Sequence, residues 1–150
     1  MTHTSLPKYY NEIQKKSRDL KFGQISEDEV GVLLRLLVSS KPRAKVLELG
    51  TGTGMGLSWI AEGLHSEGSL VSVEKDEKLL NVARMFFEDD PRIELVHQDA
   101  SSWIEENRDA QFDVIFADTW AGKFTDLDAI LKMVKTNGFY LIDDLNYQAH

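Results

Sequence analysis

Apolar residues recur along the chain in two rhythms, and those rhythms take turns, which predicts helix and strand in alternation. Val30, Leu33, Leu34, Leu37 and Val38 fall at helical spacing on one face. Ser26 with Glu29 three residues later has the spacing of a capping box, so a helix is expected to open there and to end before Lys41-Pro42. Lys45 to Leu49 then reads as a short strand that runs straight into a glycine-rich turn, Gly50 to Gly56. Leu57, Trp59, Ile60, Ala61 and Leu64 follow as a helix.

The same βα logic repeats without repeating the residues. Ser69 to Val73 reads as strand two, and a helix capped near Asp76 carries Leu79, Leu80, Ala83, Phe86 and Phe87 as its stripe. Arg92 to Val96 reads as strand three, after which Ser102 and Glu105 have the spacing of a second capping box. Phe112 to Ala117 is a fourth strand, almost wholly apolar. Leu127, Ile130, Leu131 and Val134 predict a further helix that stops at Asn137-Gly138, and Phe139 to Ile142 is a fifth strand. Alternation of this kind predicts an α/β fold, a doubly wound and mainly parallel sheet, with ligands at the carboxyl ends of the strands.

Composition narrows the function classes. A chain of 150 residues with 42% hydrophobic content suits one domain, 1–150, preceded by a helical extension or lid over 1–22 in which Tyr9, Tyr10, Ile13 and Phe22 could cover a ligand or a partner. The net charge of −8, with Lys and Arg scattered, argues against a nucleic-acid partner. No apolar run approaches the ~20 residues that span a bilayer, and the N-terminus lacks a signal-peptide core. A cytoplasmic protein without a membrane partner is therefore expected. With no cysteine, disulfides, thiolate metal sites and cysteine nucleophiles are excluded. The four histidines form no metal-ligand pair, and no serine stands on a Gly-x-Ser-x-Gly elbow.

The candidate chemistry therefore sits at strand ends. Glu48-Leu49-Gly50-Thr51-Gly52-Thr53-Gly54 ends strand one with glycines where backbone can approach a ligand. Its spacing departs from the dinucleotide fingerprint, since the third glycine position is Met55 counted from Gly50 and Leu57 counted from Gly52. Glu74, beside Lys75, ends strand two and suits ribose hydroxyls; its plainer reading is a solvated charge. Asp99-Ala100 ends strand three and suits an adenine amino group, with helix capping by Asp99 as the alternative. Asp118 ends strand four and Asp143-Asp144 end strand five, which brings up to three carboxylates together. Such crowding calls for a cation, either a hard divalent metal (Mg²⁺ or Ca²⁺) or, for Asp118, the positive charge of a cofactor, with Asp143 and Asp144 then capping the segment that follows.

Glu48-Leu-Gly-Thr-Gly-Thr-Gly54, Val73-Glu74, Gln98-Asp99-Ala100 and Phe112-Asp-Val-Ile-Phe-Ala-Asp118 resemble the successive motifs of class I S-adenosylmethionine-dependent methyltransferases. The likeness covers the chain from Gly23 onward and, with Gly23-Gln24-Ile25-Ser26, is nearest to the catechol and caffeoyl-CoA type of small-molecule O-methyltransferase. The resemblance implies methyl transfer to a hydroxyl oxygen of a small-molecule acceptor. It implies that Glu48 and Gly50, Thr51, Gly52 and Gly54 hold the methionine part, Glu74 the ribose, and Asp99 and Ala100 the adenine end. Trp120 matches a tryptophan that lies against the adenine, although packing alone also explains it. A metal-binding Asp and an Asp-Asn pair map onto Asp118, Asp143 and Asp144, with Asp144 in place of the asparagine. The family's lysine base falls on Ala121, and Lys123 is the nearest substitute, a solvated loop lysine being the other reading. The resemblance also implies a helix and two more strands after strand five, the last antiparallel. A chain ending at His150 is then a fragment, or its open sheet edge is covered by another subunit, as in a homo-oligomer. The rival readings are a non-catalytic S-adenosylmethionine-binding module and, given the wrong glycine spacing, a less favoured NAD-dependent oxidoreductase.

Overall fold

The computed structural model describes residues 5–145. Along them run α1 (Tyr10–Asp19), α2 (Asp28–Ser39), β1 (Lys45–Leu49), α3 (Met55–Gly63), β2 (Ser69–Glu74), α4 (Glu77–Phe87), β3 (Ile93–His97), α5 (Ala100–Glu106), β4 (Phe112–Ala117), α6 (Leu127–Leu131) and β5 (Val134–Ile142). The strands form one sheet in the order β3-β2-β1-β4-β5, every neighbouring pair parallel. Strands β1 to β3 step outward one way and β4 to β5 the other, so the order reverses between β1 and β4. That reversal opens a crevice at the carboxyl ends of those two strands, because their loops diverge to opposite sides.

The period of two along each strand divides its side chains between two cores. Val46, Leu70, Val114 and Phe116 pack with Leu34, Val38, Leu57 and Ile60 on the side of α2 and α3. Leu47, Leu49, Val73 and Ile115 pack with Trp103, Ile104, Ile130 and Met133 on the side of α5 and α6. Burying each such aliphatic side chain contributes ~1.5–3 kcal/mol, which is why the alternation fixes the strand register. It also turns the side chain of Glu48, between Leu47 and Leu49, toward α3 and into the interior. Among the described residues no helix is long and apolar enough to cross a membrane.

Three local expectations are corrected. Ser26 does not cap α2: the N-cap is Glu27, with no side-chain cap bond, and Ser26 is buried against Gly56 because the extended segment before the helix turns it inward. Ser102 does not cap α5 either, because the Asp99 carboxylate three residues earlier accepts the Ser102 amide at 3.1 Å. The helix carrying Leu127 to Val134 ends early, at Leu131, and Asn137-Gly138 falls inside β5. There Phe112 donates its amide to the Met133 carbonyl and pairs with Val134, and the register shifts before Val114 meets Phe139. Pairing with β4 thus takes the segment that the apolar stripe assigns to a helix. β5 pairs only with β4 among the described residues, and Phe139 on this edge strand is 41% exposed.

Candidate functional site

Two adjoining hollows of about 370 and 310 Å³ lie along the carboxyl ends of the strands and share Gly50, Glu74, Lys75, Thr119 and Trp120. The first also contains Thr51, Gly52, Asp118, Lys123 and Asp144, and the second Asp99 and Ala100. Residues that follow all five strands, up to 94 positions apart in sequence (50 to 144), therefore share one cleft. Three sequence-derived candidates stand behind its walls. Gly54 backs onto Ala83 of α4, Glu48 lies beneath the glycine turn, and Asp143 lines neither hollow although one of its carboxylate oxygens lies within 4.8 Å of those of Asp118 and Asp144.

The turn is shaped by backbone chemistry. Gly50, Gly52 and Gly54 have φ of 94°, 55° and 101°, the left-handed region that side chains disfavour. Gly50 and Thr51 donate to the Val73 carbonyl, which ties the turn to the end of β2. Gly52 donates to Glu74 Oε2 at 2.8 Å, and Asp76 donates to Glu74 Oε1 at 2.9 Å. Glu74 thus braces the turn, and each oxygen keeps a lone pair for a hydroxyl in the cleft.

Under the turn lies a buried polar chain. Ser72 Oγ donates to Glu48 Oε1 at 2.6 Å and shares a 2.6 Å hydrogen bond with Thr51 Oγ1. Burial pushes the Glu48 carboxyl up to about 8, with the carboxylates of Asp118 and Glu74 adding to the rise and Ser72 opposing it. The ordinary value is 4.5, so from about pH 4.5 to 8 the folded chain keeps a proton that the unfolded chain has released. The folded state then binds more protons, and stability falls as pH rises through that window and levels off above it. The ligand-free protein is expected to lose on the order of 4 kcal/mol between pH 5 and 8 from this group, and Glu48→Gln to flatten that slope, as read by urea unfolding at several pH values.

At the other wall, the Asp118 carboxyl is raised to about 6, chiefly by burial, with Asp143 and Asp144 adding to the rise and Lys123 opposing it. Lys123 Nζ lies 3.3 Å from Asp118 Oδ1, and its side chain is 8% exposed, so it is not a solvated loop lysine. One carboxylate oxygen each from Asp118, Asp143 and Asp144 lies within 4.8 Å of the others. The loop after β4 is tied down by Tyr140 of β5, whose hydroxyl donates to the Gly122 carbonyl. Trp120 and Phe124, four residues apart on that loop, meet at a 49° tilt with ring centroids 4.6 Å apart and line the cleft.

Asp99 caps α5 and also lines the second hollow, so capping does not take it out of the cleft. Phe22, expected to cover a ligand, stands in the wall of the cleft, whereas Gln24, Ser26, Thr119 and Phe124 of that wall and Ser72 beneath the turn are not among the expected site residues. The available signals were a serine inside an otherwise apolar strand and an aromatic four residues after Trp120.

The model of the O-methyltransferase family matches residues 2–149 of the chain. A Mycobacterium tuberculosis (strain ATCC 25177 / H37Ra) relative, provisionally designated an O-methyltransferase, is 28% identical over 109 residues, which are 70% of this chain and 48% of that protein. The chain thus spans about half the length of the curated relatives it matches. Among solved structures, the O-methyltransferase from Bacillus cereus in complex with SAH aligns with a TM-score of 0.78 at 24% identity, covering 89% of this chain and 64% of that one. The O-methyltransferase TomG from Streptomyces achromogenes in complex with SAM aligns with a TM-score of 0.83 at 19% identity, covering 94% of this chain and 67% of that one. The family model spans nearly the whole chain, and this chain therefore belongs to the O-methyltransferase family.

Proposed function

We propose that the chain binds S-adenosylmethionine in the cleft and transfers its methyl group to a hydroxyl oxygen of a small-molecule acceptor. The observation that carries this reading is the convergence of a glycine turn with Glu74, Asp118 and Asp144 in one cleft, an anionic cradle suited to a ligand that carries both an ammonium and a sulfonium. The complexes of the related structures with SAH and SAM support the same cofactor. In this reading Gly50, Thr51 and Gly52 line the methionine part, with Gly54 and Glu48 supporting the turn from behind. Glu74 takes the ribose beside Lys75, Asp99 and Ala100 take the adenine end, and Trp120 covers it.

Methyl transfer is an in-line displacement: the acceptor oxygen bonds to the methyl carbon as the carbon–sulfur bond breaks, the sulfonium becomes a neutral thioether, and the hydroxyl proton leaves. Aligning the two centres supplies much of the rate. Asp118 and Lys123 form the pair placed to receive the proton and to steady the developing oxyanion. Trp120 and Phe124, with rings tilted 49° to each other, offer an apolar aromatic surface for an acceptor. The three clustered carboxylates fit a hard divalent cation, since oxygen ligands at about 2.0–2.6 Å from an ion lie within ~5 Å of each other. Asp118, Asp143 and Asp144 would hold it, and it would supply acidification of the acceptor hydroxyl.

The test is incubation with S-adenosylmethionine and a panel of hydroxylated aromatics, with and without chelator, followed by mass spectrometry. A product heavier by one methylene supports the proposal, and a chelator-sensitive yield supports the metal. Tight cofactor binding with no product on any acceptor contradicts the enzymatic reading and points to a non-catalytic S-adenosylmethionine-binding module.

A further inference from the structure

The glycine turn is held from a second side, by α1, through contacts that motif spacing does not reveal. Ser17 and Thr53 are each 1% exposed, and their hydroxyl oxygens lie 2.7 Å apart. Ser17 Oγ donates to the Ile13 carbonyl at 2.7 Å, which uses its one hydrogen, so Thr53 is the donor between the two hydroxyls. Thr53 stands between Gly52 and Gly54 in the turn. Just past α1 the chain reverses: Lys21 takes φ 55°, and Phe22 donates its amide to the Ser17 carbonyl at 2.8 Å. That reversal lays the Phe22 ring on Gly52, where a Cβ would meet ring atoms at 3.1 Å, and makes Phe22 part of the wall of the cleft. Glu74 holds the Gly52 amide from the β2 side, so the middle of the turn is clamped between β2 and α1.

A turn with three glycines in five residues has many accessible shapes when left alone, and ordering it on binding lowers affinity. We propose that Ser17 and Phe22 are positioning residues of the cofactor turn: a hydroxyl latch on Thr53 and a ring on Gly52 hold it ready before the ligand arrives. The ligand in question rests on the S-adenosylmethionine reading; the clamping of the turn does not.

The experiment compares wild type, Ser17→Ala, Thr53→Val, the double variant and Ile13→Val, by calorimetric titration with S-adenosylhomocysteine and by amide hydrogen exchange without ligand. Ile13 is fully buried in α1, so its trimming weakens α1 packing without touching the latch. Ser17→Ala is expected to weaken binding about ten-fold and to speed exchange at Gly52 and Gly54. Ile13→Val should lower the unfolding midpoint and do neither, and the double variant should bind no more weakly than Thr53→Val alone. Phe22→Leu, at a half-buried position that does not threaten the fold, should weaken binding several-fold. Ser17→Ala and Phe22→Leu both binding within two-fold of wild type, with turn exchange unchanged, would overturn the proposal. If wild type itself binds no S-adenosylhomocysteine, the cofactor reading falls, while the exchange comparison still decides whether α1 positions the turn.

Discussion

Gly50→Ala is expected to reduce S-adenosylhomocysteine binding by at least 100-fold while leaving the sheet folded. A Cβ at this position would lie 2.7 Å from the Asp118 carbonyl oxygen and 3.0 Å from its carbon, and φ is 94°. Neither strand end can yield cheaply. The Asp118 amide donates to Leu49 at 2.9 Å and the Gly50 amide to Val73 at 2.9 Å, so moving one end breaks pairing in its neighbour. Left-handed strain of ~1–2 kcal/mol adds to the steric cost, and the turn relieves both by leaving the shape that lines the cleft. Calorimetry reads the lost affinity and circular dichroism the retained fold; binding within three-fold of wild type would show that the approach of Gly50 to Asp118 does not matter.

Asp118→Ala is expected to lower kcat/KM for methyl transfer about 1000-fold while leaving the chain as stable as wild type or slightly more so. Turnover and stability respond to different features of this residue. The loss of turnover follows from removing the carboxylate that belongs both to the proton-receiving pair and to the acidic cluster. Stability does not follow it down, because burial raises the Asp118 carboxyl to about 6, so its ionised form already costs the fold, and removing it relieves the neighbouring Asp143 and Asp144 carboxylates. Urea unfolding reads the retained stability, and adding Lys123→Met should restore none of the turnover. Recovery of turnover in the double variant, or turnover within ten-fold of wild type in Asp118→Ala alone, would contradict the assignment.

The sheet could be read from the chain because each strand is a short apolar run ending in a carboxylate or a glycine, and each helix has a stripe of its own period. Those local signals survive folding where burial backs them, as in β1, β4 and α4. They fail where two local signals compete. At α5, serine and aspartate both have capping chemistry, and the carboxylate one helical turn ahead of Ser102 takes the amide. At α2, Ser26 is drawn inward by packing against Gly56, which spacing alone does not encode. At β5, apolar residues at helical spacing are claimed by an edge strand that needs the Phe112 and Val114 pairings.

Much of the site was legible for the same reason that strand ends are legible: Gly50, Glu74, Asp99 and Asp118 come one after another at the ends of β1 to β4. The parts that were not legible depend on side chains meeting across the fold. Glu48 reads as a ligand-facing carboxylate, yet strand alternation buries it beneath the turn with Ser72. Ser17 and Thr53, 36 positions apart, have no motif in common and meet only because α1 packs on the turn.

The claim on which the rest depends is that one ligand touches the glycine turn, the end of β2 and the end of β3 together. Titrating isotopically labelled protein with S-adenosylhomocysteine and following amide resonances tests it most directly. The account predicts that Gly50, Gly52, Glu74 and Ala100 shift together along a single saturation curve. Shifts confined to a different face of the sheet, or separate binding constants for the turn and for Ala100, would contradict it.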